Sequence, residues 1–365
     1  MNIKTCLQEI EKTIPLGQAE DFDNVGLLCG NPDREVTGIL ICHDALECVV
    51  EEAVAKKCNL IVAFHPIIFS GLKSLTGKNY VERAVIKAIE NKIAIYAIHT
   101  AWDNDVLGVN YGLGKHLGLE NLKILSPKKQ QLMQLEVFVP VDFSNQVKDA
   151  LFEAGAGNIG NYDECSFSIK GQGTFRPLEN SKPFSGEKGK REHSEEVLIS
   201  VIFENYKKNQ ILSAMKRAHP YEEVAYQIIN IENENPYSGL GMFGELKNEM
   251  SEQDFLQFVK EKLNLQVIRH SHFIQKPIKK VGILGGSGAS HIKDALKNSC
   301  DAYLTGDIKY HDFYTAEEKM LVCDIGHFES EQLISQQLYE ILSKKFTTFA
   351  VCKTSESTNP VNYFS

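Results

Sequence analysis

The feature that most constrains this chain is a repeated unit, a short β-branched apolar run followed by a segment with helical spacing. In the first third, residues 37–42 (TGILIC), 59–64 (NLIVAF) and 93–98 (IAIYAI) read as strands. Helical patterns at 45–57, 80–91 and 106–117 follow them, with Gly118 as a stop. The last third resumes the pattern, with strands at 281–284, 301–304, 320–323 and 347–352 and helices at 251–263, 289–298 and 330–345. Ser251 with Asp254 three residues on gives the helix at 251 a start like a capping box. Apolar strands without alternation are what a parallel sheet needs when helices cover both its faces. The predicted class is α/β, built on mixed or parallel sheets.

The middle third differs. Residues 132–139 (LMQLEVFV) alternate, 147–154 are helical, 165–169 and 197–203 are strands, 208–217 are helical, and 224–231 form a strand. That order is the ferredoxin-like α+β arrangement. Residues 171–196 are polar, lack periodicity and read as a long exposed loop. The expected organisation is a first α/β lobe at 1–128, an inserted domain at 129–235, and a second α/β lobe at 236–365. A length of 365 residues suits two or three domains. Insertion at a surface loop costs the host little, because loop-closure entropy grows slowly with length.

Composition narrows the function. A chain with 43% hydrophobic and 24% charged residues is globular, and its net charge of −9 excludes a broad nucleic-acid footprint while allowing a small phosphate ester. Nine cysteines form no C-x-x-C pair, and an odd count without framework spacing points to a reducing compartment. The start, MNIKTCLQEIEKTIPL, lacks the apolar core of a signal peptide. The best apolar stretch, 60–69, is interrupted by His65-Pro66 and is too short to span a bilayer. The expected location is cytoplasmic, with no membrane partner.

Chemistry-bearing residues recur where the strands end, which is where open parallel sheets gather ligands. His43 and Asp44 follow the first strand, His65 the second, and His99, Thr100 and Asp103 the third. Asp307, His311, Asp324 and His327 follow the later ones. Among them His65, Asp103, His327 and Glu331 make a plausible set for Zn, Mn or Fe. His327 and Glu331 are four apart and share a helix face. The same pair also fits a helix-terminal imidazole and a first-turn acid that complements the helix dipole. Pro66 biases His65 toward extended backbone, although a lone imidazole there equally suits a hydrogen-bonded loop. Asp103 fits a cap for the helix near 106 as well as a ligand, with Trp102 as a wall beside it. The turn 285–288 (GGSG) is a tight turn or a cradle of N–H groups for an anion, with His291 where a dinucleotide fingerprint needs a third glycine. No G-x-S-x-G elbow and no H-E-x-x-H motif occurs.

Several blocks resemble one known family. These are Asp23-Asn24-Val25-Gly26-Leu27, FHPIIFSGLKSLTG (64–77), AIHTAWDN (97–104), LTGDIKYHD (304–312) and DIGHFESE (324–331). They look like the signature blocks of the Nif-three-like dinuclear metal-centre family, also known as GTP cyclohydrolase 1 type 2 homologues. The middle third, with His219-Pro220-Tyr221-Glu222-Glu223, resembles the PII-like insertion of longer bacterial members. The resemblance implies two lobes around up to two divalent ions per chain, and a ring-shaped homohexamer. It implies His65, Asp103, His327 and Glu331 as ligands, Glu331 bridging. His99, Asp307 and His311 would orient the ligands or shuttle protons.

Two departures stand out. The family has two histidines before the proline, and here the first is Phe64. The expectation is a firm site at His65, Asp103 and Glu331 and a weak one at His327 and Glu331. Ala101-Trp102 replaces the usual Asn-Leu, which would narrow the pocket. The implied activity is a metal-dependent hydrolase that works through a metal-activated water on a nucleotide or phosphorylated small molecule, GTP ring opening included. The rivals are a non-catalytic metal- or metabolite-binding regulatory hexamer and a metal chaperone or storage assembly.

Overall fold

Three of the apolar runs lie side by side as parallel strands, Gly38–Cys42, Leu60–Ala63 and Ala94–Ala97, buried at every position. The computed structural model describes residues 1–364. Alternation is hidden in these strands because both faces meet a core. Ile39, Ile41, Leu60, Val62, Phe64, Tyr96 and Ile98 share one core with the helices Ile3–Glu11 and Ile334–Lys345. Leu40, Cys42, Ile61, Ala63 and Ile95 face the other way, against the helices Glu47–Ala55 and Tyr80–Glu90. Gly26–Cys29 closes one edge antiparallel to Ala94–Ala97. Ala350–Lys353 closes the other, parallel to Gly38–Cys42, so the last strand of the chain completes a sheet begun by the first third.

The second sheet runs Arg269–His270, Leu321–Asp324, Ala302–Gly306, Ile278–Ser287, Gly239–Met250, Glu120–Pro127. Only its central three strands are parallel. The sheets are therefore mixed. Gly239–Met250 and Glu120–Pro127 escape a sequence reading because they are rich in glycine and charge and half exposed, and such residues are depleted in strands generally. The helix expected at 106–117 is Val109–His116, and a separate short helix, His99–Asp103, precedes it. The one expected at 330–345 splits into His327–Glu331 and Ile334–Lys345.

The chain divides into two compact units, 1–127 with 237–365, and 128–236. The second unit is an antiparallel sheet ordered Phe167–Phe175, Glu192–Glu204, Leu132–Pro140, Tyr226–Asn230, with helices Ser144–Glu153 and Lys208–Ala218. The polar stretch 171–196 is not all loop. Its ends zip together with Gly171 opposite Glu196 and Phe175 opposite Glu192. Mostly exposed side chains leave that hairpin arm without a hydrophobic period.

Leu338 is fully buried and ties the helix that follows Glu331 to the first sheet. Leu338→Ala should cost about 2–5 kcal/mol of unfolding free energy, the usual range for a leucine truncated in a core. Urea denaturation measures it, and a loss well under 1 kcal/mol would mean that this helix does not anchor the sheet.

Candidate metal centre

The ladder of the first sheet continues past the formal strand ends. The Phe64 N–H donates to the Cys42 carbonyl at 3.1 Å, His65 N–H to the His43 carbonyl at 2.9 Å, and His99 N–H to the Phe64 carbonyl at 2.9 Å. This register sets His43, His65 and His99 on neighbouring strands, with ring centroids 4.5 Å apart for the first pair and 5.1 Å for the second. From the second sheet, Gly326 follows the strand Leu321–Asp324 with φ of +90°, a backbone angle that glycine tolerates, and His327 then opens a short helix. Glu331 sits one turn on. The His65 and His327 rings come within 5.6 Å.

Three imidazoles converge on one oxygen. Glu331 Oε2 lies 2.9 Å from His43 Nε2, 3.5 Å from His65 Nε2 and 3.4 Å from His327 Nε2. Each ring is also held from behind. Asp44 takes His43 Nδ1 at 2.8 Å and His65 Nδ1 at 2.9 Å through its two oxygens, and Asp307 takes His327 Nδ1 at 2.7 Å. A carboxylate on Nδ1 makes that nitrogen the donor and leaves Nε2 for a ligand, the pattern seen around metal-bound histidines.

The charges follow from this packing. Burial pulls the His43 imidazole down, but hydrogen bonds to Asp44 and Glu331 outweigh it and hold the ring up at about 9. The hydrogen bond to Glu331, with Asp307 adding to it, overcomes burial at His327 and holds that ring at about 10. Burial raises Glu331, yet the bonds from His327 and His43 keep it at about 2. Asp103 goes the other way. Burial first, then the negative charges of Glu331 and Asp23, push its carboxyl well above the ordinary range. Its Oδ1 is buried without a hydrogen-bond partner among the described residues. An orphaned buried oxygen of that kind calls for an explanation, and an unseen ion is one.

The donor set fits a divalent cation. His65, His327 and Glu331 offer ligand atoms within 4.8 Å of one another, and so do His43, Asp44 and His65. Nitrogen and carboxylate donors are the set that Zn, Mn and Fe accept. The glycine turn makes room for the acid. A Cβ on Gly286, where φ is +70°, would collide with Glu331 Oε1. The Gly285 and Gly286 N–H groups are already spent on Asn110 Oδ1 and Ser330 Oγ, both at 2.9 Å. They admit Glu331 and do not form the anion cradle that the turn suggested.

The cluster opens into a cavity of about 660 Å³ whose wall includes Arg269, Asp307, Phe328 and Tyr363. The tail of the chain closes over it. Thr358 Oγ1 donates to Asp44 Oδ2 at 2.8 Å, and Asn359 and Tyr363 bond Glu329 at 3.1 and 3.2 Å. His99 bonds Asp23 at 2.9 Å behind His65. His311 is exposed beside Tyr310 and Tyr314 and does not line the cavity. Trp102 corrects an expectation. It packs into the core shared with Val62 and Leu338, 2% exposed, and narrows no pocket. Sequence reasoning placed His43 and Asp44 at a strand end but gave them no role, and it missed the tail. A larger cavity, about 810 Å³, lies in the unit 128–236 among Phe175, Phe184, Tyr221 and Glu196. Volume alone therefore does not locate the chemistry.

Comparison with known proteins identifies the family. The family described as Duf34/NIF3 (NGG1p interacting factor 3) matches residues 1–360. The GTP cyclohydrolase 1 type 2 homolog of Bacillus subtilis is 35% identical over 371 residues, covering 100% of this chain and 99% of the relative. That of Staphylococcus aureus strain MW2 is 35% identical over 349 residues, covering 95% and 94%. Among solved structures, a Bacillus cereus protein related to NIF3 superposes with a TM-score of 0.85 at 35% identity, covering 100% of this chain and 99% of the other. Staphylococcus aureus SA1388 gives 0.79 at 31% identity with the same coverage. On full-length sequence and fold together, the chain belongs to the Duf34/NIF3 family.

Proposed function

We propose that this protein is a metal-dependent hydrolase of a nucleotide or other phosphorylated small molecule, with His65, Asp103, His327 and Glu331 as metal ligands. One observation carries the reading. Imidazole Nε2 atoms of His65 and His327, fixed from behind by carboxylates, face the buried Glu331, and both rings line a cavity large enough for a small ligand, while Asp103, outside that close cluster, keeps a buried oxygen without a partner among the described residues. A divalent cation, when bound there, supplies Lewis acidity and draws the pKa of water toward neutrality. The residues of the chain do the rest. Asp44 and Asp307 hold the rings in the tautomer that leaves Nε2 free. Asp307 also lines the cavity, so it can relay a proton between His327 and solvent. Arg269, anchored by Asp324 at 2.8 Å, is the guanidinium in the cavity wall and suits a phosphate, while Phe328 and Tyr363 suit an aromatic base. The names of the relatives make GTP the first substrate to try. The same reading takes the unit 128–236 as a PII-like module and the assembly as a cytoplasmic homohexamer. It is compatible with a chain in which no helix of the described residues is long and apolar enough to cross a membrane.

The test is to load metal-free protein with Zn²⁺, Mn²⁺ or Fe²⁺ and screen it against nucleotides and phosphoesters. Turnover should appear with metal and vanish in Asp103→Ala and Glu331→Ala, and both variants should bind metal more than about 100-fold more weakly, beyond the loss typical of an outer partner. Unchanged turnover in both would end the enzyme reading. Tight metal binding without turnover across the panel would favour the regulatory one.

Acid–base linkage gives a second test. His43 and His327 are raised from 6.5 to about 9 and about 10, so the stability they contribute is complete below pH 6.5 and is lost as pH rises through 9 to 10. Glu331 is lowered from 4.5 to about 2, so its contribution is present above pH 4.5 and is lost as pH falls through 2. The contribution of this cluster to the metal-free protein should therefore be greatest between pH 4.5 and 6.5. A cation must displace the Nε2 proton of His327, so metal affinity should climb by about tenfold per pH unit for each proton displaced. Calorimetry in buffers of different ionisation enthalpy reads the released protons, and a pH-independent affinity would contradict the site.

A further inference from the structure

We infer that His43 is itself a ligand of this metal centre, completing a set of three imidazoles with His65 and His327 around Glu331. The inference rests on the metal-centre reading above and extends it to a residue at the end of a different strand. His43 Nε2 makes the shortest of the three approaches to Glu331 Oε2, 2.9 Å against 3.4 and 3.5 Å. The ring is buried, 6% exposed, so the contact is not a surface accident. Its orientation is fixed on three sides. Asp44 holds Nδ1 at 2.8 Å, the Phe328 ring meets it edge-on at 5.1 Å, and Phe64 packs at 5.6 Å. Asp44 holds His65 through its other oxygen, so one carboxylate aligns two rings whose Nε2 atoms share a target.

The donor count leaves room for a third nitrogen, because two ions sharing Glu331 would need more side chains than one. Zinc centres that keep a position open for substrate take three protein ligands, commonly imidazoles with or without a carboxylate. His65 and His327 supply only two nitrogens, and Phe64 supplies none. Residue 43 is the place from which the third can come. The bonds from Phe64 N–H to the Cys42 carbonyl and from His65 N–H to the His43 carbonyl put residues 43 and 64 beside each other across the ladder. Neighbouring strands lie about 4.8 Å apart. An imidazole on residue 43 and one on residue 64 thus reach the same space, and here the chain places the imidazole on 43 and the apolar ring on 64.

The experiment titrates metal-free, full-length protein with Zn²⁺ by calorimetry and counts nitrogen neighbours of the bound ion by X-ray absorption. His43→Leu should lose one bound ion, or bind it at least about tenfold more weakly, with fewer imidazoles per zinc. The double variant His43→Leu, Phe64→His moves the imidazole one strand over and should regain affinity and nitrogen count together. If His43→Leu does not fold, His43→Gln, which keeps hydrogen-bonding groups toward Asp44 and Glu331, is measured instead. Zinc binding and nitrogen count equal to the unmodified protein in the His43 variant would overturn the assignment. Glu331→Gln separates the two levels of the claim. If it abolishes zinc binding while the His43 variant does not, only His43 is wrongly assigned; if it too binds zinc normally, the metal centre itself is wrong.

Discussion

A single carboxylate, Glu331, organises the working part of this protein. It is 3% exposed, and burying an acid is expensive unless it is paired. The chain meets that requirement with His43 and His65 from one sheet and His327 from the start of Glu331's own helix. The rest of the local architecture serves this convergence. Gly286 leaves the volume that the acid fills, Ser330 and Asn110 take up the N–H groups of the glycine turn, and Leu338 ties the following helix to the first sheet. The last part of the chain meets the first sheet again through Leu338, through Thr358 on Asp44, and through the strand Ala350–Lys353 paired with Gly38–Cys42.

Much of this is legible in the sequence, and the reason is periodicity. Strand ends in a parallel sheet recur on one side, so His65, His327 and Asp307 announce themselves by phase alone. The spacing of His327 and Glu331 is a helical property and needs no tertiary knowledge. His43 was in view at a strand end yet had no assignable role, because its partner depends on register. Residues 43 and 64 are distant in the chain and adjacent only across a ladder. A reading that sees Phe64 alone therefore counts a lost nitrogen, while the ladder shows an imidazole beside it. The tail residues Thr358, Asn359 and Tyr363 lack any pattern because they belong to no regular element; single hydrogen bonds to Asp44 and Glu329 hold them.

Fold-level errors have the same origin. Parallel strands with both faces covered are loud in hydrophobicity, whereas Gly239–Met250 and Glu120–Pro127, with glycines and charged positions on half-exposed faces, are quiet. The hairpin arm ending at Phe175 and Glu192 is held by backbone pairing, which side-chain composition does not report. Trp102 misleads for the opposite reason. An aromatic residue beside a candidate ligand suggests a pocket wall, but a side chain of that size is also what a core takes, and the core has it.

On the metal-centre proposal, a cation would take the place of protons in this cluster. His43 bonds carboxylates through both ring nitrogens, which requires two protons on the ring when Asp44 and Glu331 are ionised, and His327 bonds Asp307 while its Nε2 pairs with Glu331 at 3.4 Å. Burial first, and then the charge of Glu331, drives the Asp103 carboxyl toward its neutral form. A cation bound there would reverse each of these preferences, since it would favour the free lone pair on Nε2 and the ionised form of both acids. None of the carboxylates that orient the rings has to move, because Asp44 and Asp307 act on Nδ1, the nitrogen that the exchange leaves alone. The site is in this sense preorganised. Its ring positions are set by the folded chain, so exchange of ion for protons would replace the Nε2 contacts to Glu331 and keep the Nδ1 contacts to Asp44 and Asp307.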